Sequence, residues 1–294
     1  MNGRRDAELS KCVEDALTNI QLRNVVSAFI KAFTDCFIKC FEGAKEIKGY
    51  VTEFSRVATK KLYNELKCKN IQNQLQQISA YLDTIYNQFT LLFDAVIRFS
   101  LVLHSRLSID TKNPLLPLEI SISWDPILNV PYIPASSLKG VVRTYLELNN
   151  IRDIDSIPIE VILGSAPNSM FPIPSLIVFT DAYPVACSST EQSLIDPDVV
   201  TPHYKEVNKC IDEICVEPTP LVFPTLAKGV ELSLIMAIDY GCDEINKKCK
   251  LTSNTAMKIA EYVKKALETG IGSKTSVGYG RVKVNIIKQR PQIH

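Results

Sequence analysis

Asp94-Ala-Val-Ile-Arg-Phe-Ser-Leu-Val-Leu-His104 is where this chain changes character. Its β-branched and aromatic residues read as a strand over Ala95–His104. All sixteen prolines of the chain follow it, beginning at Pro114. Before it stand only Gly3, Gly43 and Gly49 as helix-weakening residues, so the preceding segment reads as helical. Phe29, Phe33, Phe37 and Phe41 recur at helical spacing, with Val26 and Ile30 filling the same side. That helix is expected to stop near Gly43. A second is predicted over Lys45–Leu66 and a third over Ile71–Phe89, with Leu75, Ile78, Leu82, Ile85 and Phe89 on one face. The Phe stripe is expected to pack inside the protein on that third helix; an oligomer surface is the alternative. The domain reading is a helical N-terminal domain over 1–92 and a second domain over 93–294.

Beyond Asp94 the order changes. A Pro-rich stretch runs from Pro114 to Pro134, and a helix is predicted from Ser136 to Leu148, with Ser136 as its N-cap. Ser175–Thr180 reads as a strand, and about 181–220 as a long insertion. Leu221–Asp239 supplies strand residues broken near Lys228-Gly229. Ser253–Leu267 carries Met257, Ile259, Ala260, Val263 and Leu267 at helical spacing, and Arg281–Ile287 alternates as a closing strand. The fold class is therefore α+β: a ferredoxin-like, RNA-recognition-type β-α-β-β-α-β core with long insertions, preceded by the helical domain.

The chain has 294 residues, of which 46% are hydrophobic and 22% charged, the composition of an ordinary globular protein. No apolar run approaches the ~18 residues that span a bilayer, and the acidic, apolar-poor start does not read as a signal peptide. No membrane partner is expected. The nine cysteines include no Cys-x-x-Cys pair. They read as small core hydrophobes in a reducing cytoplasm, with no metal and no cofactor. The net charge of +1 excludes a strongly basic free-standing nucleic-acid binder. Charge is local instead: from Gly270 onward there are Lys274, Arg281, Lys283, Lys288 and Arg290, and no acid.

Gly270-Ile-Gly-Ser-Lys-Thr-Ser-Val-Gly-Tyr-Gly-Arg281 is the densest concentration of candidate site residues. Ser273 stands where a P-loop requires glycine, and Thr275 where the dinucleotide fingerprint requires its third. Gly272, Gly278 and Gly280 permit close backbone approach, and loop N–H groups can line an anion site. Lys274 and Arg281 supply positive charge, Thr275 a hydroxyl and Tyr279 a face for stacking a base. A tight connecting hairpin is the alternative. A second cluster is Ser136, Ser137, Lys139 and Arg143, where cations occupy the start of a helix that ordinarily favours acids. A phosphate between Lys139 and Arg143 is one reading, and two solvated cations the other. His203 and Tyr204 suggest an acid–base and a stacking ring, or a Pro202 turn with local packing. His104 or His203 could instead serve a metal-independent nuclease that processes precursor RNA; Asp110 lies in the first strand–helix connection, and a lone histidine with a distant aspartate is weak spacing for catalysis.

Pro131–Gly140, Phe179-Thr-Asp-Ala-Tyr-Pro184, Thr201-Pro-His-Tyr204, Pro218-Thr-Pro-Leu-Val-Phe223 and Gly270–Arg281 together resemble RAMP-superfamily proteins of CRISPR systems. Their order is most like that in a type III-B Cmr effector complex. The likeness covers roughly Asp94–Ile287; it departs at Ala135, where the family often has glycine. It implies a non-catalytic subunit in antiviral defence, at the end of a protein filament wound on CRISPR RNA and near its 3′ side. Its implied partners are a backbone RAMP subunit, another terminal RAMP subunit, the CRISPR RNA and, in the assembled complex, target RNA. Cutting would belong to the backbone subunits, through an aspartate in the first strand–helix loop. Asp110 lies in the corresponding loop, but no motif carries that role to it.

Overall fold

The computed structural model describes residues 10–17, 24–40, 47–165, 172–201, 220–242 and 250–291. Helix α1 spans 10–17. It is followed by α2 (Val25–Cys40), α3 (Ile47–Glu65) and α4 (Cys68–Leu92), which leads directly into β1 (Ala95–Leu103). Short hairpins follow: β2 (Trp124–Asp125) with β3 (Val130–Pro131), then, after α5 (Ala135–Leu148), β4 (Asp153–Ile154) with β5 (Ile157–Pro158). Then come α6 (Ile159–Leu163), β6 (Ile177–Phe179), β7 (Tyr183–Cys187), β8 (Ile195–Val200), β9 (Leu221–Leu226), β10 (Val230–Ile238), α7 (Ser253–Glu268) and β11 (Val282–Pro291). No helix among the described residues is long and apolar enough to cross a membrane.

The main sheet has the order β11-β1-β10-β6, with β7 also paired to β10, and every pairing in it is antiparallel. β1 is central, and all but one of its residues are buried. Alternation along β1 sends Arg98 to one face and Phe99, Leu101 and Leu103 to the other. On the Arg98 face lies α4, whose Asp83 takes the Arg98 guanidinium at 2.8 Å and also pairs with Lys288 of β11. The opposite face takes α7, which packs on β11 and β1 and also against α5. Thus the last N-terminal helix covers part of a sheet face that a two-layer fold would leave open. One apolar core runs without a break from Phe29 and Leu62 through Leu82 and Phe99 to Val263.

The helices form where expected, but their partners differ. Phe29 is fully buried, and Phe29 and Phe33 meet Phe54 of α3 edge-on at 5.9 and 5.1 Å; the Tyr50 ring of α3 packs tilted against Phe33 at 4.7 Å. The stripe therefore packs on the second helix, not the third. The Leu75, Ile78 and Leu82 face of α4 serves the sheet instead, because α4 alone connects directly to the central strand. Phe41 lies outside the described residues.

Two further corrections concern the middle of the chain. The stretch expected as an insertion carries β7, which lengthens the main sheet, and β8, which forms a separate ribbon with β9. Pro184 and Pro197 concealed these strands, since proline is tolerated at irregular and edge positions. The cysteines are not all simple core hydrophobes: Cys12 is bonded to Cys36, and Cys68 at the start of α4 to Cys187 at the end of β7. The second link spans 119 residues and clamps the covering helix to the sheet. On the chain-entropy account, a link of that span contributes about 4–5 kcal/mol.

Candidate nucleic-acid interface

The glycine loop connects α7 to β11 and folds down on the segment that follows β1. Ser273 N–H donates to Ser108 O at 2.8 Å, Gly280 N–H to Arg106 O at 2.7 Å, and Ile271 N–H to Gly280 O at 3.0 Å. A Cβ on Gly280, at φ +67°, would overlap the Ile271 carbonyl oxygen. One on Gly272, at φ +83°, would overlap Ser108 O and press on Leu107 Cδ1 at 2.8 Å. Both glycines are therefore required for internal close approach. Gly278, by contrast, faces open space. Between them Thr275–Val277 make a single 3₁₀ turn that begins at Lys274 in the left-handed region. The N–H groups of Ile271, Ser273, Val277, Gly278, Tyr279, Gly280 and Arg281 donate within the protein, which leaves an anion only those of Gly272 and Lys274–Ser276.

The loop's side chains meet the β8–β9 ribbon. Lys274 Nζ stands 4.7 Å from the Phe223 ring centroid and 5.6 Å from that of Tyr279. The Tyr279 hydroxyl donates to Asp198 of β8. Loss of solvent, then that hydrogen bond and the carboxylate's charge, push the Tyr279 phenol up to about 12. Arg106 Nε pairs with Asp196 at 2.5 Å and its Nη1 with Asp198 at 3.4 Å, so the guanidinium is held charged more firmly than usual. Thr275 is half-buried, while Arg281 is exposed and its side chain makes no hydrogen bond or ion pair with any described residue. The sequence reading gave no role to Arg106, which has no motif around it, or to Asp198, which stands three residues before the Thr201–Tyr204 motif.

The start of α5 is put to a different use. The N-cap is Pro134, not Ser136. The first helical N–H, that of Ala135, is met by the Asp181 carboxylate at 2.7 Å. Asp181 comes from the turn between β6 and β7, inside Phe179–Pro184, and the next element positions it: Tyr183 donates to Asp125 at 2.8 Å and stacks on Tyr132 at 5.7 Å. Burial and these carboxylates push the Tyr183 phenol well above its usual range. Arg143 Nη2 donates to Leu163 O at 3.2 Å and Gly164 O at 2.6 Å, closing the end of α6. Arg143 thus gives its Nη2 to carbonyls of the protein. Lys139 is half-buried, and desolvation and the nearby Arg143 lower its ammonium below the usual lysine range. Ser136 is exposed and Ser137 half-buried.

Of the remaining candidates, His104 is exposed at the end of β1, and its backbone N–H donates to Arg281 O at 2.8 Å. Asp110 accepts from Ser123 Oγ at 3.2 Å. His203 and Tyr204 lie outside the described residues.

With this geometry in hand, the class is defined: the chain belongs to the RAMP superfamily, whose family profile matches residues 117–283. It is similar to Cmr6, a CRISPR-system Cmr subunit of Saccharolobus solfataricus, at 30% identity over 226 residues, 76% of this chain and 70% of that protein. The Cmr6 subunit of Pyrococcus furiosus is 28% identical over 112 residues, 36% of this chain and 30% of that one. In fold the chain resembles a subunit in the cryo-EM structure of type III-B Cmr-beta bound to cognate target RNA. That match has a TM-score of 0.67 over 98% of this chain and 99% of the other, at 21% identity.

Proposed function

We propose that this chain is a Cmr6-type subunit of a type III-B CRISPR complex that binds CRISPR RNA and performs no catalysis. The sheet order supports reading its core as ferredoxin-like, with β1, α5, β6–β7, β10, α7 and β11 in the β-α-β-β-α-β positions. The observation that carries the reading is the glycine loop. Gly272 and Gly280 are spent inward on backbone contact, which leaves Lys274, Tyr279 and Arg281 on one loop at an edge of a RAMP fold. RNA on the sheet face by stacking on its central strands, the usual mode of RNA-recognition domains, is disfavoured because α4 lies there.

In this reading the subunit caps the filament near the 3′ side of the guide, between a backbone RAMP subunit and another terminal one, with target RNA in the assembled complex. RNA cleavage by the pure protein that disappears in His104→Ala or His203→Ala would favour a precursor-processing nuclease instead. The compartment is the cytoplasm; the disulfides are compatible with that, since intracellular proteins of hyperthermophiles carry them. The test is the salt dependence of guide-RNA affinity in the reconstituted complex. Lys274→Ala is expected to flatten the log–log slope by about 0.7, the loss of one contact on a single strand. An unchanged slope removes the loop from the RNA path.

A further inference from the structure

The cations of the last strand divide into two groups. Lys288 is ion-paired with Asp83 of α4 and stands 5.7 Å from the Tyr86 ring centroid, and Arg290 Nη1 reaches Thr90 Oγ1 at 3.5 Å. Lys288 thus shares the Asp83 carboxylate with Arg98, while Arg290 meets only the neutral Thr90 hydroxyl; both lie against the covering helix. Lys283 and Arg281 are exposed, and their side chains make no ion pair or hydrogen bond with any described residue. Register gives their direction. Lys283 is opposite Val102, Asn285 opposite Ser100 and Lys288 opposite Arg98. Cross-strand partners share a face, so Lys283 lies on the same face as α4. Yet Val102 is only half-buried, and Lys283, Arg281 and His104 are exposed, so α4 leaves this end of the face bare. The acid nearest in register is Glu231, opposite Val102 on the other side, where it accepts from Ser100 Oγ at 2.5 Å. Asp196 and Asp198 are engaged by Arg106 on the ribbon.

We propose that single-stranded RNA leaving the glycine loop continues across this uncovered end of the sheet, held by Arg281, Lys283 and His104. The inference rests on the RNA-binding reading of the loop and extends it to residues outside the loop. Two unpaired fixed cations and an imidazole fit a polyanion, and Arg281 joins the surface to the loop without a break. Asn285, half-buried beside Ser100, offers an amide to a sugar or base edge.

The experiment measures guide-RNA affinity against salt in the reconstituted complex for Lys283→Ala, Lys288→Ala and Lys274→Ala. Lys283→Ala is expected to flatten the slope by about 0.7, and Lys288→Ala, whose charge is already taken by Asp83, to leave it unchanged. A normal slope for Lys283→Ala beside a flattened one for Lys274→Ala overturns this path and keeps the loop. Normal slopes for both overturn both. A normal slope with lost co-purification of neighbouring subunits makes the surface a protein contact and also overturns the proposal. Lys283 is exposed, so its melting temperature is expected to hold; Lys283→Gln, which keeps the stem, repeats the measurement if it does not.

Discussion

At the start of α5, two serines, Lys139 and Arg143 lie within a few residues of one another; in the glycine loop, Lys274, Thr275 and Arg281 do the same. The two regions use these residue types in opposite directions. At α5 the polar groups turn inward: Asp181 meets the free N–H of Ala135, and Arg143 closes α6 through Leu163 O and Gly164 O. In the loop it is Gly272 and Gly280 that turn inward, against Ser108 and Ile271, while Lys274 lies half-buried over Phe223 and Tyr279 and Arg281 is left at the surface. A dense motif therefore reports constraint, and only the direction of each group tells whether the constraint serves the fold or a ligand.

The sharpest way to test this contrast is the loop's own glycines. Gly280→Ala is expected to destabilise the subunit by about 3 kcal/mol or more, because it adds left-handed strain to a backbone overlap. Gly278→Ala, where the added methyl meets nothing, is expected to cost only the strain, about 1–2 kcal/mol. Thermal unfolding of the two variants checks the order; equal losses would mean that the inward packing is not what fixes Gly280. Valine at Gly272 or Gly280 is accordingly a test of folding, not a selective test of RNA engagement.

Next in size are the α5 contacts. Arg143→Gln is expected to cost about 1–3 kcal/mol through two weakened charged hydrogen bonds, and Asp181→Ala about 1–2 kcal/mol through a lost cap. Both are expected to lower the melting temperature while leaving the salt slope of RNA binding intact. A flattened slope for Arg143→Gln would break the comparison by making α5 an RNA surface.

The smallest effect is in pH. The Tyr279 phenol is raised to about 12 in the folded protein, against about 10 when unfolded. The folded state thus favours the protonated phenol that donates to Asp198. This contribution is complete below pH 10 and is lost as pH climbs from about 10 to about 12. A phenolate absorbance titration is expected to show one tyrosine ionising near 12 that disappears in Tyr279→Phe. An identical titration would show that the ribbon does not hold the ring.

Much of the architecture was legible one element at a time. The helix read over Ser136–Leu148 is found at Ala135–Leu148, and that read over Ser253–Leu267 at Ser253–Glu268, because both have an apolar side at helical spacing and a defined start. The break at Lys228-Gly229 separates β9 from β10, where Gly229 takes φ +85°. The strands β7 and β8 were not legible, since each is short and holds a proline. Asp181 stood in a quoted motif, yet nothing in the local pattern says that a carboxylate will reach a helix start more than forty positions away.

The sequence by itself determined the helices α2–α5 and α7, the strands β1, β6 and β9–β11, the change of architecture at Asp94, the RAMP motifs, and the loop in which glycine and cations concentrate. Those follow from local periodicity, backbone freedom and short-range spacing. The tertiary structure alone decided that Phe29 and Phe33 face α3, that Cys68 meets Cys187, that α4 covers part of the sheet, and that Lys288 is spent where Lys283 is not. Each depends on which distant surfaces come within contact range, and a charge is free or taken only once the carboxylate beside it has been placed by the rest of the fold.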